Sequence, residues 1–172
     1  MRRLMLQLLL SLSCAVMALP CLADQADDNV AVVRSMTEAL NARDFDALDG
    51  LISPDVVRHC AATPGVNVSN LEEMKQFLKA DLAACPDATQ EINMIFGAGD
   101  KVAAHVTYRG TQTGQMGPFP ASGKPVELPF IGILRLEDGL VAEIWVEWDN
   151  MHALTQLGHL EPPQAEKSTE DE

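Results

Sequence analysis

Two extended runs joined by Asp138-Gly139 constrain the fold of this chain most. Residues 130–136, before the pair, are mostly apolar, and residues 140–148, after it, alternate in type. Both central positions of a type I′ turn need positive φ, which Asp-Gly readily adopts, so the pair predicts a β-hairpin. Alternation along the second strand places its even-numbered residues on one face. The other face is expected to carry Val141, Glu143, Trp145 and Glu147.

The segments upstream of this hairpin change from helical to extended spacing. Apolar residues recur at helical spacing over 29–43 and, in a short piece, over 45–51. Ser69 is expected to begin a further helix through a capping box, and this helix should end by Pro86. Strands are predicted over 56–60, 91–96, 101–111, 126–137 and 140–148, with a helical turn over 151–157. Helices followed by antiparallel strands indicate an α+β fold, with the helices covering one side of a curved sheet.

The two ends of the chain are expected to lie outside this domain, which is predicted over residues 24–160. Residues 1–23 combine Arg2 and Arg3 with an apolar run and small residues. This pattern is typical of a secretory signal peptide cleaved after Ala23, or alternatively after Ala18, which predicts a periplasmic or secreted protein. A membrane anchor is disfavoured, because the apolar run is shorter than the ~20 residues that a span needs. Residues 161–172 form a charged tail that is predicted to be disordered.

Charge and cysteine usage exclude some functions and leave one question open. The formal charge is −13, and loss of the two leader arginines would take it to −15. Binding to nucleic acid or to an anionic membrane needs clustered Lys and Arg, so neither partner is expected. Cys60 and Cys85 would remain after export, where a disulfide is chemically permitted. The sequence leaves a bridge and two free thiols equally open.

Several phrases in the chain together resemble a known family. They include PDVVRH at 54–59, GDKVAAHVTYRGTQTG at 99–114 and LRLEDGLVAEIW at 134–145. In this order and spacing they resemble the SnoaL-like polyketide or ester cyclases of the nuclear transport factor 2-like superfamily, over roughly residues 29–158. The resemblance implies a cone-shaped α+β fold, with a curved antiparallel sheet and N-terminal helices around a pocket. It also implies cofactor-free chemistry, such as aldol ring closure, ketosteroid isomerisation or epoxide opening, and a homodimer formed through the outer sheet face.

The chain departs from the family pattern at two positions that would carry the acid–base chemistry. Gln112 stands where the cyclases have His, between Gly110 and Gly114, and Gly132 stands where they have Asp. Glutamine can hydrogen-bond but cannot transfer a proton near neutral pH, and glycine can do neither. The fold is therefore expected to transfer from the family, whereas cyclase activity does not follow.

Other residues are therefore the candidates for catalysis. Glu147 and Asp149 share a predicted strand face with Trp145, and aromatic surroundings can raise the pKa of a carboxyl group. His59 matches the histidine of the family phrase and is a third candidate. The alternatives are that Glu147 faces solvent, that Asp149 caps the last helix and that His59 is structural. The predicted substrate-binding residues of an apolar pocket are Gln112, Trp145, Phe119 and Tyr108.

The remaining motifs leave two functions open. The sequence contains neither HExxH nor CxxC, and we expect neither a metal nor a cofactor. One hypothesis is an exported acid–base enzyme for a small hydrophobic carbonyl or ester compound. The other is a non-catalytic protein that binds a small apolar ligand. Convergence of Glu147, Asp149 and His59 in one cavity would favour the enzyme.

Overall fold

The fold of residues 22–161, the part of the chain that this computed structural model describes, combines three α-helices with one sheet. The predicted signal peptide, except for its last two residues, and the predicted tail beyond residue 161 lie outside the described residues. The helices are α1 (Leu22–Ala42), α2 (Leu71–Ala84) and α3 (Asn150–Leu157), with a short 3-10 helix at Ala47–Gly50. The strands are β1 (Ile52–His59), β2 (Thr89–Ala98), β3 (Lys101–Thr111), β4 (Pro125–Glu137) and β5 (Leu140–Trp148). No helix in this range is long and apolar enough to cross a membrane.

The five strands form one sheet in the order β1-β5-β4-β3-β2. Strands β2 to β5 are antiparallel neighbours, but β1 pairs with β5 in parallel. The α+β cone fold is confirmed, whereas the expectation of a purely antiparallel sheet is wrong. No tight turn links β1 to β5, because α2 and three strands lie between them in the chain. The direction of β1 is therefore set by tertiary packing.

The closing hairpin forms as predicted, but its second strand contains a β-bulge. Asp138 and Gly139 both have positive φ, at 52° and 78°, as a type I′ turn requires. Arg135 pairs with Glu143 while Leu136 pairs with Val141, so Ala142 is an extra residue on β5. The bulge reverses the alternation before it, and Val141 is fully buried rather than on the face of Glu143. The predicted face of Val141 is therefore wrong.

The helices cover one face of the sheet, called here the inner face, and the opposite face is the outer face. The main core lies between α1, the 3-10 helix, α2 and the inner face of the sheet. Its buried members include Val33, Leu48, Ile52, Val56, Met74, Val102, Leu134 and Val141. Beyond this core, towards α3, the inner face carries larger side chains that include Tyr108 and Leu128.

Helix α2 begins one residue later than predicted. Asn70 is the N-cap, and its side chain accepts a hydrogen bond from the Glu73 N–H at 2.9 Å. Glu73 returns the interaction by accepting from the backbone N–H of Ser69 at 2.8 Å. The capping interaction is therefore made by Asn70 and Glu73. Asn serves as the N-cap here as well as Ser would.

The two cysteines of the described chain do not form a bridge. Cys60 is half-buried in the segment after β1, and Cys85 is buried at the C-terminal end of α2. Of the two alternatives that the sequence left open, the structure has the free thiols.

Candidate functional site

A partly buried carboxyl group, that of Asp81, lies on the apolar face of α2. Asp81 is one turn beyond Phe77 and Leu78, which both pack against the main core. Residues three and four apart share a helix face, so Asp81 points inward with them. Asp81 is not among the site residues predicted from the sequence. The sequence does contain a signal for this residue, because Asp81 continues the apolar stripe of Met74, Phe77 and Leu78 at helical spacing.

Tyr108 of β3 is the hydrogen-bond partner of Asp81. The Tyr108 hydroxyl donates to Oδ2 of Asp81 at 3.2 Å. Burial raises the pKa of Asp81, while the hydrogen bond from Tyr108 and the positive charges of Arg43 and Arg58 oppose that rise. Burial and the charge of Asp81 also raise the pKa of Tyr108, which keeps its hydroxyl protonated as a donor. The pair therefore consists of a carboxyl group that can exchange a proton and a phenol that orients it.

The family-like phrase at 110–114 holds these two residues together. The backbone N–H groups of Thr113 and Gly114 both donate to the carbonyl of Ala84, at 3.0 and 2.9 Å. A Cβ on Gly114 would overlap the carbonyl oxygen of Ala83, so only glycine permits this close approach. Asp87 accepts from the N–H and hydroxyl of Thr111 at 2.7 and 2.8 Å. The end of β3 is thereby fixed to the end of α2, which sets Tyr108 opposite Asp81.

A small cavity adjoins the Asp81–Tyr108 pair. Its volume is about 20 Å³, which is room for a single water-sized molecule. Its lining combines Asp81, Tyr108, Arg43, Asn41 and Gln90 with apolar side chains of α1 and α2. A larger molecule can reach Asp81 only after neighbouring side chains rearrange, and such rotamer changes are common on binding.

Arg58 of β1 lies on the same inner face. Its guanidinium carbon is 4.4 Å from the ring centroid of Phe77 and 5.9 Å from that of Trp148. Nη1 donates to the hydroxyl of Thr63 at 3.0 Å. These distances place the half-buried cation over two aromatic side chains, an arrangement that is favourable for an arginine.

The residues predicted to bind substrate are separated by the fold. Tyr108 belongs to the interior pair, while Gln112 and Phe119 meet at the far end of β3, beside His159. Gln112 is fully buried, its Oε1 lies 2.8 Å from His159 Nε2, and its Nε2 donates to the carbonyl of Pro120. The Phe119 ring lies 4.9 Å from the His159 ring. The Gln112 amide therefore has a structural role, since its hydrogen bonds join the end of β3 to Pro120 and to His159.

The predicted catalytic residues do not converge in the interior. His59, Glu147 and also Trp145 lie on the outer face, where the His59 ring stacks on Trp145 at 5.2 Å. His59 Nε2 is 2.8 Å from Glu143, and Glu147 accepts from the Ala61 N–H at 3.0 Å. Hydrogen bonds to His59 and Arg135 lower the pKa of Glu143.

Asp149 is the N-cap of α3 and accepts from the His152 N–H at 2.9 Å. This is the capping alternative that the sequence left open. Gly132, at the second departure from the family pattern, is buried in the middle of the inner face. It brings no functional group to the interior. Among residues 22–161, no group of three or more His, Cys, Asp or Glu side chains is arranged to hold a metal ion.

Comparison with known proteins places this geometry in a family. The model of the SnoaL-like polyketide cyclase family matches residues 30–157. No curated protein matches the chain. Among solved structures, TsrD from Streptomyces laurentii is 28% identical with a TM-score of 0.69, over 78% of this chain and 97% of that one.

Two further Streptomyces structures are similar. AclR from Streptomyces galilaeus, provisionally assigned as a hydroxylase, is 27% identical with a TM-score of 0.70, over 81% of this chain and 86% of AclR. IdmH from Streptomyces antibioticus, provisionally assigned as a polyketide cyclase, is 29% identical with a TM-score of 0.66. That match covers 76% of this chain and 98% of IdmH.

Proposed function

Because the chain belongs to the SnoaL-like polyketide cyclase family, we propose that it is a cofactor-free acid–base enzyme of the cyclase type. Its substrate in this proposal is a small hydrophobic carbonyl or ester compound. The provisional assignment of IdmH as a polyketide cyclase supports a reaction of this class. The observation that carries the proposal is the partly buried Asp81 carboxyl on the inner face, with Tyr108 as its hydrogen-bond donor.

Asp81 is the proton carrier in this proposal. Its ionised form removes a proton from the carbon beside a carbonyl group, and its protonated form returns a proton to the product. A general base works best when its pKa lies near the working pH, and burial shifts the pKa of Asp81 in that direction. Tyr108 acts through Asp81 as a positioning residue, because its hydroxyl binds one carboxyl oxygen and leaves the other available.

Exchange of α-protons tests this step without knowledge of the full reaction. Hydrophobic ketones and esters with slow background exchange are incubated in D2O with the protein, and deuterium uptake is followed by NMR. The wild-type protein is expected to accelerate exchange for at least one compound. Asp81→Asn is expected to lower that rate by about 10²-fold or more, since general-base catalysis contributes roughly 10²–10⁴-fold.

Two matched variants address the residues selected from sequence. Glu147→Gln and Asp149→Asn change an outer-face carboxyl and a helix cap, and both are expected to keep wild-type exchange. Full activity of Asp81→Asn, or loss of activity in either of the other two, would contradict the assignment to Asp81.

The second candidate function is non-catalytic binding of a small apolar ligand. The specific observation in its favour is that Gln112 and Gly132 occupy the positions of the family's acid–base residues. Native mass spectrometry of protein purified from its own host compartment separates the two functions. A compound that stays bound and unchanged on incubation favours a binding protein, and its release as an altered product favours the enzyme.

We also propose export and self-association. Arg2, Arg3 and the apolar run after them support cleavage of a signal peptide, so the mature N-terminus in the host is expected at Asp24 or, alternatively, at Leu19. Mass spectrometry of the intact host protein distinguishes these two ends from an uncleaved chain. Apolar side chains exposed on the outer face support a homodimer formed through that face.

A further inference from the structure

Among the arginines of residues 22–161, Arg58 differs from the others in the groups that surround its charge. Arg109 pairs with Glu91 and Glu127, and Arg135 pairs with Glu137 and Glu143. Arg43 donates to backbone carbonyls, and Arg34 is exposed to solvent. Within residues 22–161, no carboxylate lies at ion-pair distance from Arg58. The chain has 25 acidic and only 12 basic residues. A shortage of carboxylates therefore does not explain why Arg58 has no ion-pair partner in that range.

The surroundings of Arg58 leave most of its hydrogen-bonding capacity unused. A guanidinium carries five N–H donors, and the side chain donates here to Thr63 Oγ1. Phe77 and Trp148 present aromatic surface to the cation but offer it no anionic partner. The side chain is only half-buried, so its remaining donors can meet a molecule that enters from solvent.

We propose that Arg58, Phe77 and Trp148 form an anion subsite that takes the carboxylate of a planar, hydrophobic acid. A guanidinium fork matches the two oxygens of a carboxylate, and the aromatic rings suit an unsaturated or aromatic body attached to it. The strongly negative protein repels anions at long range, so selection of an acid depends on this local cation.

The subsite narrows the substrate class of the proposed function, and it rests on that proposal in assuming that the substrate binds on the inner face. Arg58 lies over Phe77, which is one turn from Asp81 on the same face of α2, and its positive charge opposes the rise in the pKa of Asp81. A carboxylate held by Arg58 would therefore lie in the same interior region as the proposed proton carrier.

Isothermal titration calorimetry with 2-naphthoate and 2-naphthamide measures the two binding affinities that test the subsite. The two probes share shape and size, and they differ in the negative charge. The wild-type mature protein is expected to bind 2-naphthoate about tenfold more tightly, with a preference that weakens as salt is added. Arg58→Gln is expected to abolish the preference. Arg58→Lys, which keeps the charge but not the fork, should retain part of it.

Control variants separate this inference from the proposed function. Arg109→Gln, on the outer face, is expected to keep the full preference for 2-naphthoate. Asp81→Asn should also keep or increase it, because binding needs no proton transfer, even though exchange activity is lost. Equal binding of the two probes by the wild-type protein, no saturable binding of either, or an unchanged preference in Arg58→Gln would overturn the subsite. If Arg58→Gln fails to fold in thermal unfolding, a full preference in Arg58→Lys would overturn it instead.

Discussion

Asp81 occupies a position where an acidic side chain costs stability. The partly buried carboxylate loses hydration that one hydrogen bond from Tyr108 replaces only in part. The raised pKa of Asp81 expresses this cost, because the protonated form is favoured in the folded state. A residue that lowers stability on the inner face is a good candidate for a functional role.

The stability of Asp81→Asn relative to wild type is expected to depend on pH. The pKa of Asp81 is raised from 3.8 by burial, so the wild-type folded state binds its proton more tightly than the unfolded state does. Its contribution to stability is full below the unfolded pKa and is lost as pH rises through the folded pKa. Urea unfolding should therefore show that the free energy of unfolding of Asp81→Asn, relative to wild type, increases as pH rises from 3.8. The expected increase is about 1.4 kcal/mol for each pKa unit by which the folded and unfolded states differ.

Asp87→Asn is the matched control with the opposite sign. Hydrogen bonds from Thr111 lower the pKa of Asp87, so its contribution to stability is present above the unfolded pKa and is lost in acid. This variant should be less stable than wild type at neutral pH and approach it as pH falls. Parallel trends in the two variants would contradict the environments assigned to both residues.

At the scale of elements, small local features decide which side chains reach the interior. The extra residue at Ala142 sends Val141 into the core and leaves Glu143 on the outer face. The two hydrogen bonds to the Ala84 carbonyl bind the end of β3 to the end of α2. Neither feature changes the order of elements, but together they determine which residues form the site.

Gly114→Ala is expected to lower stability because the new methyl group would overlap the backbone of Ala83. Overpacking of this kind costs about 1–3 kcal/mol, measured as the free energy of unfolding in urea. Gly50→Ala is the control, since a Cβ at Gly50 meets nothing within 4 Å, and its effect should stay within about 0.5 kcal/mol. Equal effects in the two variants would show that the β3–α2 junction can relax.

Asp149 separates a capping role from a catalytic one. Asp149→Ala removes the side-chain acceptor of the His152 N–H and is expected to cost about 1 kcal/mol of unfolding free energy. Asp149→Asn keeps an acceptor of similar capping strength and should remain near wild-type stability. A stable Asp149→Asn protein without exchange activity would instead support the catalytic prediction made from sequence.

For the whole molecule, the two faces of the sheet have different surroundings. The inner face is covered by helices, whereas four large apolar side chains of the outer face are exposed. Their exposed fractions are 59% for Met94, Phe96 and Ile131 and 42% for Ile133. Register pairing places Met94 and Phe96 of β2 on the same face as Ile131 and Ile133 of β4, with Ala103 and His105 of β3 between them. An exposed group of large apolar side chains of this kind supports the proposed homodimer.

Ile131→Glu is expected to convert the dimer into a monomer, because a charge would be buried in the interface. Light scattering of the mature protein should give twice the chain mass for wild type and a single chain mass for the variant. Met151→Glu is the matched control, since Met151 is 64% exposed on α3 rather than on the sheet. A wild-type protein with the mass of one chain would refute the proposal.

The sequence alone determined the elements and the fold class of this protein. Helical spacing, strand alternation and the Asp138-Gly139 turn are local properties, so the hairpin and strand β3 were predicted with the bounds of the structure to within a residue. The phrases at 54–59, 99–114 and 134–145 predicted the family, because their spacing reflects a shared packing of the whole domain.

Only the tertiary structure decided which polar residues meet. The parallel pairing of β1, the bulge at Ala142 and the junction of α2 with β3 arise from contacts between distant segments. Those contacts place His59 and Glu147 outside and Asp81 inside, which one-dimensional spacing does not specify. The capping role of Asp149 was an open alternative in the sequence, and it was decided by the observed hydrogen bond.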